Sequence, residues 1–388
     1  MPIYQQRGKL PRKRHVVFRQ PDGSLYPEEL VGNKGFTGPA SLLYHLRQPT
    51  TVKAVKPLRD LQWEPDPDRT LRHRHFRSAR LKTGPSPVLD RVPLLFNADV
   101  ALSLVAPERA DEFFYRNGQG DELVYVDHGD GVLESPFGRL AFGPGDYLVI
   151  PRGILHRYQL GRGPWRLLVI ESAGYVRTPK RYRNEHGQLV EGAPFSERDI
   201  RAPQELETRD ARGDFPIVVK SQNRLTEMVL AHHPCDVVGW DGYYYPWAFN
   251  IRDFEPLVGR IHLPPPVHQT FEGDGVVVCS FVPRPFDFDA EAVPAPYNHA
   301  NVMSDEVLYY ASSKFMSRKG IEQGSITLHP DGLPHGPQPG KTEESIGAKW
   351  TDELAVMVDT FRPLAVARQA LAVEDATYMA SWLDGEER

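Results

Sequence analysis

HANVMSDEVLYY, residues 299–310, followed by GSITLHPDGLPH, residues 324–335, is the stretch on which the fold turns. The same frame occurs earlier as YRNGQGDELVY, residues 115–125, with GDYLVIPRGILH, residues 145–156. Asn117 matches Asn301 and Glu122 matches Glu306. Gly145, Pro151, Gly153 and His156 match Gly324, Pro330, Gly332 and His335. Each copy reads as a strand, a turn and a returning strand that ends in a Gly/Pro corner. The mismatches carry as much information. Tyr115 stands where the second copy has His299, and Ile150 where it has His329.

Strand-like runs recur around both copies, at 123–126, 147–150, 167–170, 217–219, 276–281, 326–328 and 354–358. The chain's 36 Pro and 32 Gly punctuate them, which is the pattern of sandwiches and barrels. The repeat extends upstream, where residues 102–107 resemble 278–283. An all-β fold of two barrels follows: residues 1–235 hold a degenerate unit and residues 236–388 a complete one. One helix is expected, over 364–382, where Val366, Ala370, Val373, Ala376 and Ala380 keep rough helical spacing behind Pro363. The polar segment 59–87 reads as a long loop or extended arm.

At 388 residues the chain is long enough for two domains, and its 25% charged content is ordinary. The net charge of −5 gives no case for nucleic acid. The basic start (Arg7, Lys9, Arg12, Lys13, Arg14) reads as a solvated or subunit-clasping tail. No apolar run approaches the roughly 20 residues of a membrane span. No apolar core follows the basic start, so no signal peptide is expected. Cys235 and Cys279 are the two cysteines, which fits a reducing cytoplasm.

His299, Glu306 and His335 form a two-His, one-carboxylate set, the facial triad of non-haem Fe(II) oxygenases, and Fe, Mn, Ni or Zn all suit such ligands. Asp305 competes with Glu306, but neighbours on a strand face opposite ways, and Glu122 in the same frame favours Glu306. Other groups read blandly. His73 and His75 sit in an Arg-rich, solvated arm. His232, His233 and Cys235 match no standard metal spacing. Glu122 and His156 are relics held in polar contacts, without a metal.

H299-x-N301-x4-E306 followed by P-x-G-x-P-H335 resembles the cupin metal motif, with Asn301 in place of its second His. The wider chain resembles the homogentisate 1,2-dioxygenase family. The likeness is carried by VVGWDGYYYPWAFN (237–250), PAPYNHAN (294–301), LHPDGLPHGP (328–337), YQQRG (4–8) and FTGP (36–39). It implies Fe(II) on His299, Glu306 and His335, and ring opening of homogentisate by O2 to maleylacetoacetate, in tyrosine and phenylalanine catabolism. It places His329 against the aromatic substrate. His262 falls near the family's acid–base His, with His268 as a rival. Where the family has a substrate-holding Tyr and Lys, this chain has Phe315 and Arg318. Arg keeps the cation, whereas Phe lacks the hydroxyl. The resemblance also implies a homo-oligomer, a trimer or hexamer. Trp240, Tyr243, Tyr244, Tyr245 and Trp247 either wall the pocket or fill a core. The alternatives are a cupin metalloenzyme cleaving another hydroquinone or gentisate-like aromatic, and a non-catalytic bicupin.

Overall fold

A computed structural model describes residues 3–259 and 267–383. His262 lies outside them. Two antiparallel barrels dominate. The large sheet of the first runs in the order Ile200–Arg201, Trp247–Asn250, Asp146–Ile150, Asp121–His128, Arg166–Ser172, Val100–Val105, Val92–Phe96 and Ala365–Val366. A three-stranded sheet (Gly131–Ser135, Gly138–Phe142, Arg157–Leu160) and a four-stranded one (Val52–Asp60, Arg224–His232, Arg212–Ser221, Phe114–Asn117) accompany it. The second barrel's sheet runs Gln269–Gly273, Val276–Phe281, Ala355–Thr360, Asp305–Tyr310, Ile326–His329 and Arg74–Phe76. No described helix is long and apolar enough to cross a membrane.

Asp305–Tyr310 shows how the sequence sets this up. All six of its residues are buried. Val307 and Tyr309 join the core shared by both barrels, whereas Leu308 and Tyr310 join a small cluster inside the second. Alternation along the strand therefore puts Glu306, in step with Leu308 and Tyr310, on the inner face. The barrels meet through aromatic side chains. Tyr309 lies 6.0 Å from Tyr125, Tyr147 lies 5.2 Å from Phe271, and Tyr147 Oη hydrogen-bonds Ser280 Oγ at 2.9 Å.

Sheet membership does not follow the expected division at 235/236. Trp247–Asn250 pairs with Asp146–Ile150 in the first barrel, and Arg74–Phe76 pairs with Ile326–His329 in the second. Of the two readings of the aromatic run around Trp240, the structure shows core. Trp240, Tyr244, Tyr245 and Trp247 are fully buried in it, with Trp240 Nε1 donating to Phe137 O, and Tyr243 is exposed.

Two expectations fail for identifiable reasons. The segment 364–382 is not an α-helix. It forms a short strand, Ala365–Val366, and two 3-10 turns, Arg368–Val373 and Tyr378–Trp382. Its backbone is claimed from outside: Ala367 N donates to Leu94 O, Arg368 N to Glu64 O and Asp375 N to His75 O. Those bonds replace a helix's internal ladder, so tertiary pairing overrides the local spacing. The H-x-H arm is not solvated either. His73, Arg74 and His75 are all buried. The buried Arg74 guanidinium is matched by Asp66 at 2.7 Å and Glu374 at 3.5 Å. That pairing lets an Arg-rich strand enter a sheet.

Candidate metal centre

The two copies of the repeat fold alike. Tyr115 bridges His156 across the first barrel's mouth as His299 bridges His335 across the second's. Gly153 N donates to Asn117 O at 2.7 Å, and Gly332 N to Asn301 O at 3.0 Å. Both glycines have φ near +80°, a left-handed corner that a β-carbon would strain. This corner aims the histidine that follows. Asp121 and Asp305 also match. Asp121 accepts from Arg152 N and Val176 N, and Asp305 from Asp331 N (2.8 Å) and Leu364 N (2.7 Å). Asp305 is therefore a loop-holding carboxylate facing away from the centre.

Glu306 faces it. Its Oε2 lies 3.8 Å from His299 Nε2 and its Oε1 3.5 Å from His335 Nε2. One ligand atom from each of the three residues lies within 4.8 Å of the others. Ligands about 2.1 Å from one ion stand roughly 3 Å apart at right angles, so the cluster needs little contraction to close on one. The tautomers are set from behind. His299 Nδ1 donates to Tyr297 O and His335 Nδ1 to Leu333 O, both at 3.1 Å. Each ring thus turns its Nε2, the nitrogen left to ligate, inward toward Glu306. His335 Nε2 is buried without a hydrogen-bond partner. Buried polar atoms are rarely left so, and a metal ion would satisfy it. Burial raises the pKa of the Glu306 carboxyl, but the surrounding His299, His329 and His335 hold it well below the usual carboxylate range.

His329 is fully buried beside the triad. Its Nδ1 donates to Glu306 Oε1 at 2.7 Å, and its Nε2 meets Tyr378 Oη at 3.2 Å. Burial, and to a lesser degree Arg318, push its pKa down to about 3, so it is neutral. Arg318 is only 7% exposed. Its Nη1 donates to Gly336 O at 2.7 Å, and its Nε has no partner. Phe315 packs with Tyr310 (5.0 Å) and Phe281 (5.6 Å) in the inner apolar cluster. His268 stacks on Phe281 at 4.3 Å, so it lies on that apolar wall.

Sequence reading missed three residues that the fold brings here: His73 from the arm, and Tyr378 and Trp382 from the tail. The His73 ring lies 5.4 Å from His329, 5.8 Å from His335 and 5.1 Å from Trp382. The one available signal was the alternation of His73 and His75, which places both on one strand face.

In the first barrel the matching carboxylate is held by an arginine. Arg91 forks onto Glu122 at 2.7 and 2.9 Å, and Asn117 Nδ2 donates to Glu122 Oε1 at 3.0 Å. Burial alone would raise the Glu122 pKa, but Arg91 brings it down to about 2. Of the relics expected there, Glu122 forms an ion pair with Arg91, a residue the motif did not include, whereas His156 donates from Nδ1 to Ile154 O and leaves Nε2 without a partner. The His232–His233–Cys235 group is likewise tied up internally. His232 Nε2 donates to Gln48 O, and Cys235 N donates to His233 Nδ1.

Fold and centre together define a double cupin whose second barrel alone, among the described residues, gathers a His–Glu–His cluster suited to a metal. Comparison with known proteins narrows the class. The family model for the homogentisate 1,2-dioxygenase N-terminal region matches residues 97–251. A Saccharolobus solfataricus protein provisionally named a dioxygenase is 41% identical over 388 residues, covering 98% of this chain and 99% of that one. Homogentisate 1,2-dioxygenase of Nitrobacter hamburgensis is 28% identical, covering 98% of this chain and 91% of that one. A cupin 2 conserved barrel domain protein from Leptotrichia buccalis, 10% identical with a TM-score of 0.35, covers 74% of this chain and 96% of its own. That likeness is too shallow to add to the topology. The chain belongs to the homogentisate 1,2-dioxygenase family and is a ring-cleaving dioxygenase of that kind.

Proposed function

We propose that the protein is an Fe(II)-dependent dioxygenase that opens the ring of homogentisate with O2 to give maleylacetoacetate. His299, Glu306 and His335 would hold the iron. The observation that carries the substrate reading is Arg318. It is a buried guanidinium in the second barrel, hydrogen-bonded to carbonyl and hydroxyl oxygens, and no described carboxylate pairs with it. A buried cation without a counter-ion is costly, and a substrate carboxylate would complete it bidentately.

Bound Fe(II) would supply the one-electron chemistry that lets O2 react with an electron-rich ring. The chain's own residues do the rest. The Tyr297 and Leu333 carbonyls keep two imidazoles in the ligating tautomer. Arg318 orients the substrate through its carboxylate. Phe315, Phe281 and Tyr310 exclude water from the barrel's inner end. His329, neutral and with Nε2 an acceptor, contacts the aromatic substrate by accepting a hydrogen bond from its ring hydroxyl, and His262 is the residue the family resemblance gives the acid–base step. Phe315 favours a second reading, cleavage of another carboxylated hydroquinone, because it offers no hydroxyl to the substrate. We also take the protein to be a cytoplasmic homo-oligomer.

The test is anaerobic Fe(II) loading, then O2 uptake with homogentisate, gentisate and plain hydroquinone. Homogentisate should support the fastest uptake. Arg318→Ala should raise KM for the two acids by about 10- to 100-fold, because hydrogen bonds to charged groups contribute about 1.5–3 kcal/mol. KM for hydroquinone should change little. Equal effects on all three would remove Arg318 from the substrate, and no uptake with any would overturn the activity.

A further inference from the structure

The tail turn Tyr378–Trp382 sits on the candidate centre. Trp382 Nε1 donates to Gly336 O at 3.2 Å, the same carbonyl that accepts from Arg318 Nη1, one residue beyond His335. The Arg318 guanidinium lies 5.8 Å from the Trp382 ring centroid. The same ring stands edge-on to His329 at 6.2 Å and tilted against His73 at 5.1 Å. His73 is buried, donates from Nε2 to Pro334 O at 3.1 Å, and leaves Nδ1 without a partner. Two chain segments far apart in sequence thus converge on residues that contact Arg318 and the triad's neighbour His329.

We infer that Trp382, backed by His73, is the aromatic wall against which the substrate ring lies, and so determines which ring substituents the site accepts. This rests on the functional reading above. A ring held by the centre at one end and by Arg318 at the other must lie along a surface that touches both His329 and Arg318. Trp382 touches both. Its indole offers a face to an electron-rich ring and also supports the guanidinium, whose delocalised charge stacks well on aromatic surfaces. The part is specificity-determining: an indole N–H has no lone pair to offer a metal and is no base.

The experiment is calorimetric binding of homogentisate, gentisate and hydroquinone to the anaerobic iron-loaded protein, alongside steady-state kinetics and iron analysis. Wild type is compared with Trp382→Ala and Trp382→Phe. Loss of one aromatic contact should weaken homogentisate binding and raise its KM about five- to tenfold. The kcat value and iron content should move far less. Trp382→Phe should recover most of the affinity and shift the preference among the three compounds. Homogentisate affinity in Trp382→Ala equal to wild type would overturn the inference. So would Trp382→Phe being as impaired as Trp382→Ala with iron lost from both, since the turn would then be scaffold. A wild-type protein that binds neither acid would remove the functional reading and this inference with it, and that failure is recognisable before any variant is made.

Discussion

Replacing Arg91 with Met should destabilise the protein by about 3–5 kcal/mol, because it leaves a buried carboxylate without its partner. Glu122 has no exposed side-chain surface, and both of its oxygens are held by the Arg91 fork at 2.7 and 2.9 Å. The Asn117 amide and the nearby His156 would remain, neither carrying the full charge that Arg91 supplies. At about 2.1 cal/mol/K per residue, 388 residues give an unfolding entropy near 0.8 kcal/mol/K, so Tm should fall by about 4–6 °C. The loss should be pH-dependent with a definite sign. The folded Glu122 pKa of about 2 lies below its unfolded value. Its stabilisation is therefore complete above an unfolded pKa near 4.3 and is lost as pH falls toward 2. The gap between wild type and Arg91→Met should accordingly narrow across that window. Adding Glu122→Gln should recover much of the stability, since a neutral amide needs no counter-charge. Differential scanning calorimetry checks each step. An Arg91→Met protein melting with wild type, or a double variant as unstable as the two single losses summed, would refute the reasoning.

Asp305→Ala should cost about 2–4 kcal/mol by freeing the N–H groups of Asp331 and Leu364, yet leave the iron content near wild type, as metal analysis beside thermal melting would show. His45 gives a pH signature in the opposite direction. Burial depresses it, but hydrogen bonds to Asp236 and Glu29 outweigh that and raise it to about 9. A raised histidine stabilises fully below its unfolded pKa near 6.5, and that share disappears as pH climbs through about 9. His45→Gln should therefore flatten the Tm profile between pH 6.5 and 9, and an unaltered slope would show that the contacts of His45 with Asp236 and Glu29 contribute nothing.

The doubled motif made both barrels legible, since the strand, corner and histidine of each copy obey local rules. That Glu306 and not Asp305 faces His299 and His335 was also legible, from alternation and the matching Glu122. What escaped was non-local. Arg74 looks like a solvated residue until Asp66 and Glu374 close around it, so the strand carrying His73 reads as an arm. Trp382 sits in a segment with helical spacing whose backbone donors are claimed by Leu94, Glu64 and His75. Arg91 lies outside the repeat altogether, and only folding shows that it supplies the charge Glu122 needs. His262 lies among the residues the structure does not describe, so its role still rests on the family resemblance.

The central claim is that the second barrel binds iron through His299, Glu306 and His335 while the first binds none. Iron stoichiometry after anaerobic loading, measured on wild type, His335→Ala and His156→Ala, tests it most directly. The account predicts one iron per chain in wild type and His156→Ala and almost none in His335→Ala. Equal loss in both variants, or full retention in His335→Ala, would contradict it.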